Sequence, residues 1–99
     1  MPEKTQTPSS DFTPLQGQYL AFIYAYTQIN RRPPAESDFQ NYFEVTAPSV
    51  HQMILTLERA GLIERIPRAA RSMTLRVPPE SLPLLRRPEQ PVKTSVPRY

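Results

Sequence analysis

The sequence predicts a mainly α fold closed by a small β-hairpin, an α+β class, and three observations predict it. Two long stretches, 14–29 and 47–60, repeat apolar residues at three- and four-residue spacing. A shorter helical stretch, 36–43, is joined to the second of them by only three residues. After Gly61 the apolar period changes from 3.6 to 2.

Each element has its own local cause. The first helix starts at Phe12-Thr13-Pro14, with Thr13 as N-cap, Pro14 at the first helical position and Phe12 as the apolar residue before the cap. Leu15, Tyr19, Phe22, Ile23, Tyr26 and Ile29 form its stripe, and Leu20 and Tyr24 widen it, so this helix is covered on more than one side. Asn30-Arg31-Arg32-Pro33-Pro34 stops it, because a proline pushes its predecessor out of helical backbone. The second helix, 36–43, sets Phe39, Tyr42 and Phe43 on one face and begins with Glu36 and Asp38, which suit the positive end of a helix. Thr46 caps the third helix, 47–60, in which Pro48 falls within the tolerated first turn and Val50, Ile54 and Leu57, with Leu55 or Met53, point inward. Gly61 ends it in the left-handed conformation, followed by the apolar Leu62. Residues 62–66 and 72–77 then alternate as two strands around the loop Pro67-Arg68-Ala69-Ala70-Arg71, which lacks glycine.

Helix, helix, short turn, helix, hairpin is the order of a three-helix winged helix-turn-helix. The tight link between the last two helices makes them cross steeply, so one buttresses the other. The domain is expected over 12–77. Residues 1–11, polar with two prolines, are expected to be disordered, and 78–99 to be a proline-rich basic tail carrying six of the thirteen prolines. In that tail, Leu82, Leu84 and Leu85 are free to dock on the domain or on a partner.

Composition narrows the chemistry. With no cysteine and one histidine, the 99 residues offer no metal site, and the two glycines, Gly17 and Gly61, form no phosphate-cradling loop. No cofactor and no enzymatic activity are expected. No apolar run has the length of a membrane span and no signal-type segment opens the chain, so a cytoplasmic protein is expected. The net charge is +3, and the stretch 65–76 holds Arg65, Arg68, Arg71 and Arg76 without an acid, a cationic strip suited to a polyanion.

Two groups of residues are candidates for binding. Thr46, Pro48, Ser49, His51 and Gln52 remain on the outer face of the third helix once its inward stripe is assigned. Gln52 has the amide geometry for a bidentate contact to adenine, His51 and Ser49 can donate to bases or phosphates, and Pro48 can meet a thymine methyl. Arg68 and Arg71, at the hairpin tip, suit the DNA backbone or minor groove, or form a solvated loop; Arg65 and Arg76 lie on strands, and for Arg65 pairing beside Glu64 across the sheet competes. Arg31 and Arg32, in the loop before the second helix, are within reach of phosphate or simply close a helix end. The tyrosines at helical spacing read as packing rather than a base-stacking platform, with surface enough on the first helix for a dimer contact.

Four segments carry a family resemblance. Phe12-Thr13-Pro14-Leu15-Gln16, Arg32-Pro33-Pro34, Val45-Thr46-Ala47-Pro48-Ser49-Val50-His51-Gln52-Met53 and Leu57-Glu58-Arg59-Ala60-Gly61-Leu62-Ile63-Glu64 together resemble the DNA-binding domain of LexA-type repressors over residues 12–77. Ala35 stands where that family usually has a Ser or Thr cap, and Glu44 where glycine is common. LexA-type repressors continue into a self-cleaving peptidase domain; this chain ends at Tyr99, so that activity is not expected to carry over. The resemblance implies that base contacts come from the start of the third helix. The expected function is sequence-specific binding of double-stranded DNA, as a homodimer on a palindromic site, by a small transcriptional regulator. The competing expectation is a winged-helix protein-interaction module.

Overall fold

The computed structural model describes residues 12–87. The expectations for 1–11 and for the end of the tail, 88–99, lie outside the described residues.

Three helices and a hairpin follow in the expected order: α1 Pro14–Asn30, α2 Glu36–Phe43, α3 Ala47–Arg59, β1 Ile63–Glu64 and β2 Thr74–Leu75. Thr13 opens α1 with a full capping box, its Oγ1 accepting from the Gln16 N–H at 3.1 Å while its own N–H donates to Gln16 Oε1 at 2.9 Å. Arg31, left-handed at φ 63°, closes it and donates its N–H to the Thr27 carbonyl. The buried run Tyr19 to Ile23 shows why this helix is apolar around most of its girth: the rest of the domain wraps it. Leu15 and Ile29, expected in the stripe, instead stand exposed at the two ends.

Ala35 has no side chain to cap α2, and Asp38 compensates from within the helix by accepting the Ala35 N–H at 2.8 Å. Glu44 ends α2 at φ 57°, a left-handed backbone that costs a side-chain-bearing residue about 1–2 kcal/mol. Past α3, Gly61 adopts φ 78°; its N–H donates to Glu58 and that of Leu62 to Leu57, the paired bonds that satisfy the last carbonyls of a helix.

The core joins α1 (Tyr19, Leu20, Phe22, Ile23), α2 (Phe39), α3 (Val50, Ile54, Leu57) and the hairpin (Leu62, Ile63, Met73). Tyr19 stacks on Phe43 at 4.6 Å between centroids, and Phe22 packs on Phe39 at 4.9 Å. Burial in this aromatic layer pushes the Tyr19 hydroxyl pKa up.

The hairpin is antiparallel, pairing Ile63 with Leu75 and Glu64 with Thr74. Its strands are shorter than the alternation predicts. The Ser72 hydroxyl accepts the Ile66 N–H at 2.9 Å and so takes the place of the next ladder partner. Without glycine, the tip bends through positive φ at Arg68 (66°) and Arg71 (54°).

After a 3-10 turn, Pro79–Ser81, the chain returns across α1 and α2 as a strap. Leu82 and Leu85 pack on the core, while Leu84 points out. Gln18 holds the strap at both ends of its amide, donating to the Leu84 carbonyl at 2.8 Å and accepting the Arg86 N–H at 2.7 Å. The Tyr42 hydroxyl adds a bond to the Arg86 carbonyl at 3.0 Å. Gly17 lets Phe12 and Pro83 approach, since a Cβ there would sit 3.0 Å from each.

Candidate nucleic-acid interface

The start of α3 is built by its cap and its buried stripe. Thr46 Oγ1 accepts the Ser49 N–H at 3.3 Å and donates to Ser49 Oγ at 3.0 Å, which leaves the Ser49 hydroxyl hydrogen free to point outward. Val50, Ile54 and Leu57 are fully buried, and that fixes the helix rotation so that Thr46, Pro48, Ser49, His51 and Gln52 are all exposed. The Gln52 side-chain amide has no partner among the described residues; its backbone carbonyl accepts from Thr56. The strap lies on α1 and α2 and leaves this face open.

His51 belongs to a cluster that sequence reasoning missed. Its Nδ1 lies 3.3 Å from Glu36 Oε2 on α2. The same oxygen receives Arg65 Nη1 at 3.4 Å, and Arg65 in turn donates through Nε (3.3 Å) and Nη2 (3.0 Å) to Glu58 Oε1 on α3. The chain Glu58–Arg65–Glu36–His51 thus ties both helices of the helix-turn-helix to the residue after β1. Glu36 was legible only as a helix-start acid, because its two partners are 15 and 29 residues away.

The four wing arginines divide. Arg65 is held as above, and Arg76 pairs with Glu64 across the strands at 2.9 Å. Arg68 is exposed at the tip, with no partner among the described residues. Arg71, expected beside it as a second DNA contact, folds back on the domain. Its Nη1 donates to Tyr26 Oη at 3.0 Å, to Asp38 Oδ2 at 3.0 Å and to the Pro33 carbonyl at 3.3 Å. The hydrogen bond to Tyr26 foremost, with Asp38 adding to it, holds its pKa above the ordinary arginine value against the opposing effect of burial, so it remains a cation. Arg68 and Arg71 share a positive φ, so their different fates come from the tertiary partners within reach, for which side-chain type gives no signal. Arg31 and Arg32 are both exposed.

An apolar groove of about 890 Å³ lies between the start of α1, the end of α2 and the strap, lined by Phe12, Leu15, Tyr19, Phe43, Val45 and Leu82 among others. Among the described residues no group of three or more histidines, cysteines or acids could hold a metal ion, and no helix is long and apolar enough to cross a membrane.

No protein-family model matches the chain. Two curated relatives do. One is a LexA repressor of Thermosipho africanus (strain TCF52B), 35% identical over 72 residues, which is 73% of this chain and 36% of the relative. Another is the LexA repressor of Thermosipho melanesiensis (strain DSM 12029 / CIP 104789 / BI429), 35% identical over 63 residues, 64% of this chain and 32% of the relative. The chain spans about a third of the length of the relatives it matches. With three helices and a two-stranded hairpin in the order found above, the resemblance carried by the spaced motifs is borne out: the chain carries a LexA-type winged helix-turn-helix domain.

Proposed function

We propose that this domain is a sequence-specific binder of double-stranded DNA and acts in transcriptional regulation. The observation that carries the reading is the open face of α3, where a capped helix start presents Ser49, His51 and Gln52 together above a fully buried stripe. A helix of this kind fits the major groove, and its N-terminus favours phosphate. Gln52 reads adenine through its unengaged amide; Ser49 and His51 read neighbouring edges; Thr46 fixes the cap and Pro48 offers apolar contact to a thymine methyl. Arg68 reaches backbone or minor groove from the wing, and Arg71 positions that wing instead of touching DNA. Two copies on a palindrome supply the specificity one small module lacks.

Selection from random duplexes tests the proposal. A defined motif is expected, with Gln52→Ala changing the preferred base at one position. Retention of no duplex at low salt would overturn the reading. The competing interaction module has one observation in its favour, the apolar groove with exposed Leu15 and Val45 at its edge. Of its expected elements, Leu82 and Leu85 are used on the domain's own core, while Leu84 is exposed.

A further inference from the structure

We propose that Glu36 sets base specificity from α2, by fixing which nitrogen of His51 carries the proton. This rests on the DNA-binding reading above and names the chemistry one position of the site must have. A carboxylate only accepts hydrogen bonds, so the ring nitrogen facing it is the one that bears hydrogen. Here that nitrogen is Nδ1, 3.3 Å from Glu36 Oε2. In the neutral ring the proton is then absent from Nε2, which becomes an acceptor. The His51 side chain is 56% exposed at the open start of α3, so this lone pair is offered outward.

Glu36 is itself held for the task. Arg65 Nη1 shares its Oε2 at 3.4 Å, and Glu58 anchors Arg65 at 3.0 Å. The guanidinium and the ring thus meet the same carboxylate oxygen, and the shared contact fixes that oxygen beside Nδ1. Among the described residues, Glu36, Arg65 and Glu58 are the charged groups joined to His51 in this cluster, from α2, the residue after β1, and α3.

Base edges in the major groove then differ in what they return. Only adenine N6 and cytosine N4 present donors there; guanine and thymine present acceptors and, for thymine, a methyl group. An acceptor Nε2 therefore selects an amino-bearing base, adenine or cytosine, and leaves guanine O6 and N7 facing a lone pair. A histidine free to take either tautomer would select neither class. Glu36 acts without touching DNA, through the ring it orients.

The test repeats the selection from random duplexes with the full chain and three variants, at pH 8, the neutral end of the range over which histidine changes charge. His51→Ala marks the position that His51 reads, as the one whose preference disappears. With the wild-type chain that position should favour adenine or cytosine by about three- to tenfold, the scale of one hydrogen bond. Glu36→Gln can accept from or donate to Nδ1, so the preference there should fall toward parity while other positions hold; Glu36→Ala should do the same. Thermal melting by circular dichroism confirms that each variant is folded. A guanine or thymine preference at the marked position, or an adenine or cytosine preference that Glu36→Gln leaves intact, overturns the inference while the DNA reading stands. A motif in which His51→Ala alters no position overturns it equally. Retention of no duplex by the wild-type chain overturns the DNA reading, and this inference with it.

Discussion

Replacing Arg71 with alanine separates a latch from a phosphate contact. The Arg71 guanidinium meets three acceptors, on α1, on the loop before α2 and on α2 itself, and Asp38 at 3.0 Å matches its charge. Arg68, at the same tip, has no such partner among the described residues. Each phosphate contact adds about 0.9 to the slope of log affinity against log salt, so one contact amounts to about 3.5-fold between 50 and 200 mM. Arg68→Ala should therefore lower the slope by about 0.9. Arg71→Ala releases the wing and loses that same contact indirectly, so the double variant should fall no further than either single one. Two independent contacts would instead give about 1.8. Asp38→Asn sharpens the test by its sign. Removing an acid near a polyanion should tighten binding by simple electrostatics, whereas breaking the latch should weaken it. Tyr26→Phe, which removes one acceptor and keeps the ring, should weaken binding in the same direction. Fluorescence anisotropy of a labelled selected duplex across a salt series reads all five variants against the wild-type chain. A double-variant drop near 1.8, with Asp38→Asn binding as well or better, refutes the latch.

Three further outcomes follow from the packing. Ile54 is fully buried at the centre of the core, so Ile54→Ala should cost about 2–5 kcal/mol and lower the urea midpoint without changing the slope of unfolding. Gly61→Ala meets open space but places a side chain at φ 78°, so a loss of about 1–2 kcal/mol is expected from backbone strain alone. The raised pKa of Tyr19 makes its neutral form the one the fold prefers: its stabilising contribution is complete below the ordinary tyrosine value of 10.0 and is lost as pH rises through the raised value. Urea titrations from pH 10.0 up to that raised value should show the wild-type chain losing stability more steeply than Tyr19→Phe.

The elements were legible because their causes are local. Thr13 with Pro14, Thr46 with Pro48, and Gly61 with Leu62 each announce a helix end within four residues, and all three ends fall where those signals put them. The hairpin was legible in period but not in length, since the side chain that halts the ladder, Ser72, acts across the loop on Ile66. The outer face of α3 followed by subtraction from its apolar stripe. The fates of the arginines did not, because charge type is the same for Arg68 and Arg71 while their partners are set by tertiary geometry. Asp38 is the clearest case. Its position suggested a favourable charge at a helix start; in the fold it also caps Ala35 and anchors Arg71 from 33 residues away.

The most direct measurement of the central claim is amide chemical-shift mapping of the domain titrated with a selected duplex. Changes concentrated at Thr46–Gln52 and around Arg68 are the expected result. Changes confined to the groove residues Leu15, Phe43 and Val45, or none at all, would contradict the account.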